Sequence, residues 1–250
     1  MNQTFEKSFT VRYHELDSNG SFKPLALLHC LQDAAGLHAA QLGVSVKDLN
    51  KQGLTWVLSR LHLKAESYQR AEESILIRTW PSIRQGLFTC REFEVVDSSG
   101  TIAARATTSW AAVKLATRRP VKLDQYLPLY PMLSTRAIET DFESLPDFPK
   151  KSPCSEIMFR VLRTDLDINQ HVNNVIYMSW ALETVPDNIA SGTLVELEAS
   201  FRAEALYGEY VVSRCSIIES GEITCCLHQI CSKTDERELV RLRTRWKKQI

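Results

Sequence analysis

Hydrophobic and polar positions follow the same order twice along the chain. A short alternating segment, FTVRY, leads through a polar loop into PLALLHCLQDAAGLHAAQLG, where apolar residues recur at helical spacing. Pro24 suits the first turn of this helix and Gly43 its end. The apolar set, from Leu25 through Leu31 and Ala34 to Leu42, nearly encircles the helix, so other elements have to wrap it. Gln32, Asp33, His29 and His38 interrupt the run, which makes it a buried helix and not a membrane span. Four strand-like segments follow: TWVLSRLHLKAE, SILIRTW, LFTCREFEVV and TIAARATTSWAAV.

The second half repeats this order with IMFRV, a polar loop, the helical run VIYMSWALETV, and then LVELEASFRAE, YVVSRCSIIE, EITCCLHQICS and ELVRLRTRW. DSSG and KTDE supply the turns of the last hairpins. One long helix and four strands per half, with nothing else to do the wrapping, predict an α+β fold. Each half is expected to be an antiparallel sheet around a long central helix.

Residues confirm the duplication. FTVRYHELDSNGSFKPL from Phe9 aligns without gaps to FRVLRTDLDINQHVNNV from Phe159, pairing Glu15 with Asp165, Asp17 with Asp167 and Asn19 with Asn169. KAE at 64–66 matches RAE at 202–204, and ARATTSW at 104–110 matches VRLRTRW at 240–246. Six of the nine prolines fall between the copies, which marks an extended surface linker. The expected organisation is a first domain over 1–118, a linker over 119–154 and a second domain over 155–250.

Thirty basic and thirty acidic residues balance, which argues against a nucleic-acid-binding protein. Seven cysteines, at 30, 90, 154, 215, 225, 226 and 231, show no ligand spacing and read as reduced, mostly buried thiols. The first residues have neither signal-peptide nor transit-peptide character, so a cytoplasmic protein is expected.

Hydrogen-bonding chemistry concentrates in TDLDINQHVNN at 164–174. Asp165, Asn173 and Asn174 read first as turn and cap formers. The D-x-D-x-N pattern lacks the glycine and the distal glutamate of a calcium loop, having Gln170 and Ile176 there, and His171 has no second zinc ligand nearby. No metal is expected. The first copy serves as a control: it keeps Asp17 and Asn19 but has Ser21 where the second has His171, so capping alone does not account for the histidine.

DLDINQHVNNVIYMSWALE, followed by FRAEALYG, resembles the signature of the acyl-ACP thioesterases, as do QDAAGLHAAQLG, LTWVLSRLHL, ILIRTWPS and ATTSWAAV in the first half. The resemblance spans nearly the whole chain. It implies two tandem hotdog domains, an acyl-chain tunnel in the first and catalytic residues in the second. By motif position these are Asp167, Asn169, His171 and, from the strand after the helix, Glu204. Ala205 stands where plant members usually carry cysteine, so no thiol is expected in the mechanism. Glu66 is taken as the first-copy counterpart of Glu204. Trp56 is a candidate tunnel wall, and Asn173 and Asn174 are candidate substrate contacts; the other tryptophans read as core.

The expected chemistry is hydrolysis of acyl-acyl carrier protein without a cofactor. Glu204 and His171 activate water, Asn169 holds the carbonyl or water, Asp167 fixes the loop and the imidazole tautomer, and N–H groups near Val172 to Val175 receive the oxyanion. The carrier is acidic, so Arg118, Arg119, Lys122, Arg163 and the RLRTRWKK tail are candidate docking cations. No nucleic-acid partner and no membrane insertion are expected, and a homodimer stays open. Two alternatives stand beside this reading: an acyl-CoA thioesterase and a non-catalytic acyl-binding protein.

Overall fold

The computed structural model describes residues 3–149 and 155–248. Pro153 and Cys154 lie outside the described residues. The chain divides into two compact units, Met1–Asp141 and Phe142–Ile250.

In the first unit β1 (Phe5–Thr10) leads through a 3-10 turn at Tyr13–Glu15 into α1 (Pro24–Gln41) and a short α2 (Val46–Asn50). Strands β2 (Leu54–Ala65), β3 (Ser74–Gln85), β4 (Phe88–Val96) and β5 (Ile102–Lys114) follow, then a single turn, α3 (Leu123–Tyr126). The strands pair antiparallel in the order β1-β3-β4-β5-β2. The second unit repeats this plan. Strand β6 (Ser155–Arg160) and a 3-10 turn at Arg163–Asp165 precede α4 (Asn174–Leu182) and α5 (Asp187–Ala190). Then come β7 (Thr193–Phe201), β8 (Tyr210–Glu219), β9 (Ile223–Ser232) and β10 (Glu238–Lys247), in sheet order β7-β10-β9-β8-β6. Each unit is thus an antiparallel sheet with its main helix packed against it, the arrangement expected of a hotdog.

Local chemistry explains where the elements depart from the pattern. Strand β3 continues past Trp80 because Pro81 sits at a register shift between Pro81 and Arg84, where a ladder N–H is dispensable. Helix α1 buries Leu27, Leu28, Leu31, Ala34 and His38, each buried leucine contributing about 1.5–3 kcal/mol. It is not enclosed all round: His29, Asp33, Gly36, Leu37 and Ala40 form an exposed stripe at helical spacing. Helix α4 has 9 residues against 18 in α1, so the second copy's central helix is the shorter one. Thr184 Oγ1 donates back to the Ala181 carbonyl, and Pro186, two residues on, cannot continue the ladder.

The expected linker is anchored over much of its length. Val121, Leu123 and Leu127 join the buried cluster of Val44, Leu49, Leu54 and Ala112. Further along, the Trp80 indole N–H donates to the Thr135 carbonyl at 2.8 Å. Fully buried Glu92 accepts hydrogen bonds from Ser82 Oγ (2.6 Å), Thr107 Oγ1 (3.0 Å), Arg136 Nε (2.9 Å) and the Ala137 N–H (3.0 Å). These bonds hold residues 119–141 within the first unit, well beyond position 118.

Two buried histidines contribute to the acid response of the fold. Burial pulls His228 from 6.5 to about 3, and burial followed by the Arg91 cation pulls His38 from 6.5 to about 4. Arg91 Nη1 lies 3.1 Å from His38 Nδ1, so that nitrogen accepts and the ring is neutral. The unfolded chain takes up protons below pH 6.5 where the folded chain does not. Stability is therefore fully present above 6.5 and falls as pH drops toward 4, by up to about 1.4 kcal/mol per pH unit for each histidine. Melting curves from pH 7 to 4.5 check this. His228→Gln should flatten the slope, and an unchanged slope would contradict the assignment.

Candidate active site

The polar loop has one backbone design in both units. In the second, the Asp167 N–H donates to the His171 carbonyl at 2.8 Å, and Asp167 Oδ1 accepts from the N–H groups of Asn169 (2.8 Å) and His171 (3.3 Å). In the first, Asp17 makes the same bonds with Asn19 and Ser21. Asp167 is therefore a loop former by direct observation, since Asp17 does the same work where there is no histidine. The turn requires a left-handed residue, supplied by Gly20 (φ 72°) in one copy and by Gln170 (φ 64°) in the other. Asp165 Oδ2 accepts from the Leu162 N–H at 2.7 Å. Asp165 and Asp167 thus each spend one carboxylate oxygen on backbone donors.

The loop presents His171 to Glu204. His171 Nε2 lies 3.4 Å from Glu204 Oε2, and their side chains are 21% and 34% exposed. Asn169 leans on the same loop, its Nδ2 3.4 Å from Asp167 Oδ2. Glu204 does not lie in a strand: β7 ends at Phe201, and Glu204 sits in the following irregular segment. Buried Tyr177, on α4, positions that segment through its hydroxyl, which accepts the Ala205 N–H at 2.7 Å. Burial pushes this phenol up to about 12, so it stays neutral.

Tyr177 was not singled out from the sequence. A lone tyrosine among VIYMSWAL needs a partner for its hydroxyl, and that was the available signal. Tyr177→Phe leaves a buried N–H unpaired, costs about 1–3 kcal/mol and loosens Glu204. A fall in kcat of between about tenfold and about 100-fold is expected alongside the lower melting temperature. Unchanged turnover would contradict the positioning role.

Backbone bonding corrects the counterpart of Glu204. The N–H groups of Glu66 and Ser67 both reach the Ala103 carbonyl, as those of Arg202 and Ala203 reach that of Leu239. Likewise Phe22 N–H donates to Gln69, as Val172 N–H does to Ala205. Glu66 therefore matches Arg202, and Tyr68 occupies the place of Glu204. The first unit thus lacks both members of the pair.

Several other candidates have structural work. Asn173 caps α4, its Oδ1 accepting from the Val175 N–H at 3.0 Å, and Asn174 opens the helix. The Trp56 indole donates to the Val44 carbonyl at 2.8 Å and packs against the cluster around Leu49 and Leu123. Trp80 and Trp246 are buried, and Trp110 and Trp246 each donate to a threonine hydroxyl two residues away. In the basic tail Arg241 pairs with Glu238 and Asp147, Arg243 with Glu198 and Arg245 with Glu196, so these cations form a sheet-surface charge ladder.

Comparison with known proteins gives the family and the fold. The family described as acyl-ACP thioesterase N-terminal domain matches residues 2–127, and the acyl-ACP thioesterase C-terminal domain matches 150–248. Oleoyl-acyl carrier protein thioesterase 1, chloroplastic, of Arabidopsis thaliana is 32% identical over 202 residues, 74% of this chain and 56% of that protein. Dodecanoyl-[acyl-carrier-protein] hydrolase, chloroplastic, of Cinnamomum camphora is 26% identical over 97% of this chain and 67% of its own length.

Among solved structures, the 12:0-ACP thioesterase from Umbellularia californica superposes with a TM-score of 0.87 at 24% identity, covering 100% of this chain and 99% of that one. An acyl-ACP thioesterase from Bacteroides thetaiotaomicron gives 0.82 at 24% identity, with 97% of both chains covered. These likenesses show the tandem hotdog fold. The chain belongs to the acyl-ACP thioesterase family. It spans little more than half the length of the Arabidopsis proteins it matches, 56% and 55%.

Proposed function

We propose that the chain hydrolyses the thioester of acyl-acyl carrier protein and releases a free fatty acid. The observation that carries this reading is the approach of His171 Nε2 to Glu204 Oε2, 3.4 Å, in the one copy that has both groups. A water held by the pair attacks the thioester carbonyl while its proton passes to the imidazole–carboxylate couple. The tetrahedral adduct collapses, the C–S bond breaks, and the departing phosphopantetheine thiolate takes that proton. No group beyond water is consumed.

The oxyanion needs an unengaged donor. Among the N–H groups expected near the start of α4, Val172 donates to Ala205, Asn173 to Asp165 and Val175 to the Asn173 side chain. No hydrogen bond of the Asn174 N–H is found among the described residues. It lies at the positive end of the helix, so we assign it the developing charge, one such donor contributing about 3 kcal/mol. Asn169 holds the carbonyl or the water by its amide. The acyl chain is assigned to the first unit by family likeness. Six described cysteines are buried thiols outside any disulfide, which supports a reducing, cytoplasmic setting.

The test is release of free thiol and fatty acid from one acyl chain presented on acyl carrier protein and on coenzyme A. Higher kcat/KM on the carrier protein is expected. Binding without turnover, or a preference for coenzyme A, would overturn the proposal.

A further inference from the structure

The two loops that bring His171 and Glu204 together carry a second set of side chains that thioester hydrolysis leaves unused. Leu162, Ile168, Leu206 and Tyr207 are 51%, 80%, 49% and 45% exposed. Arg163 is exposed too, and its guanidinium carbon lies over the Tyr207 ring, 4.4 Å from the centroid. No ion pair of Arg163 is found among the described residues, and the neighbouring carboxylate of Asp165 is bound to the Leu162 N–H. Exposed Arg160, on β6, adds a second cation.

The first unit again provides a control. With the same backbone bonds, it has Arg12 in place of Leu162, Ser18 in place of Ile168 and Arg70 in place of Leu206. Tyr13 stands for Arg163 and Ala71 for Tyr207. Loop geometry is therefore satisfied by polar residues, and folding does not call for a greasy rim. The rim occurs where the His171–Glu204 pair is, in the unit that has something to receive.

We propose that this rim is the landing surface for the carrier protein, an acidic partner whose arm delivers the acyl thioester to His171 and Glu204. The proposal rests on the thioesterase reading and deepens it. Exposed leucine, isoleucine and tyrosine beside an arginine held over the tyrosine ring have the composition of an interface core rather than of ordinary surface. An acyl chain would not coat the outside of its own entrance, and a lone phosphate would need the arginine but not Ile168 or Leu206. Two cations that form no ion pair among the described residues match an acidic partner, whereas Arg241, Arg243 and Arg245 of the C-terminal tail are already paired with Glu238, Glu198 and Glu196.

The experiment compares kcat/KM for one acyl chain on acyl carrier protein, on coenzyme A and on N-acetylcysteamine, in the wild type and in Arg163→Glu and Ile168→Asp. Ile168 is the most exposed of the set, so its variant tests the surface with least demand on folding. For both variants the loss on the carrier protein, carried by KM, should exceed the loss on the two small carriers by about tenfold or more. Ser18→Asp, at the matching place in the first unit, should show no such excess. Equal losses on all three substrates, a loss shared by carrier protein and coenzyme A, or no loss at all would each overturn the landing surface. A wild type inactive on acyl carrier protein would instead overturn the thioesterase reading beneath it.

Discussion

Replacing His171 by alanine, or Glu204 by glutamine, should lower kcat on an acyl carrier protein thioester by about 10²- to 10⁴-fold. The melting temperature should barely move. Both side chains are partly exposed, at 21% and 34%, so the stability change should stay within about 0.5 kcal/mol. Because the two groups act on one water, the double variant should be about as slow as the worse single variant. Asn173→Ala separates structure from chemistry at the same loop: it removes the α4 cap and should cost about 1 kcal/mol of stability. Steady-state kinetics and thermal melts on all four proteins check this. Full multiplicativity of the two single losses would show that His171 and Glu204 act in separate steps.

The largest stability effect is expected in the first unit. Glu92→Ala should destabilise the first unit by about 3–5 kcal/mol, because Arg136, only 10% exposed, is left with a charge and no counter-ion. Glu92→Gln keeps hydrogen-bonding atoms in place and should cost less. Removing both charges, as Glu92→Leu with Arg136→Met, should recover much of the loss, since two neutral side chains avoid the desolvation that the ion pair has to offset. Melting temperature and limited proteolysis of residues 128–141 report the outcome. A double variant as unstable as Glu92→Ala would mean that volume and the Ser82 and Thr107 hydroxyls, not the charge pair, hold this site together.

What could be read in advance follows from how each feature is encoded. Ungapped matches from Phe9 and Phe159 are real because both segments close the same carboxylate-centred turn, so the loop, His171 and the duplicated plan were visible in the letters. KAE against RAE misled, because three residues at a strand end carry little information. The equivalence there is fixed by the bonds to Ala103 and Leu239, which no local pattern records. The length of α4 was hidden for a similar reason: VIYMSWALETV stays apolar to its end, and a threonine hydroxyl bonding back to the helix, with Pro186 beyond, sets the stop. Tyr177 was hidden because its partner is a backbone N–H in a segment 28 residues away.

The strap formed by Trp80, Glu92 and residues 135–137 matters for exchanging halves between relatives. A recombinant hybrid joined at position 118, where the proline-rich stretch begins, would take Arg136 from one parent and Glu92 from the other, so its success would depend on whether the parents share that lock. A crossover after Asp141 inherits lock and key together, and it is there that domain shuffling should yield foldable chimeras.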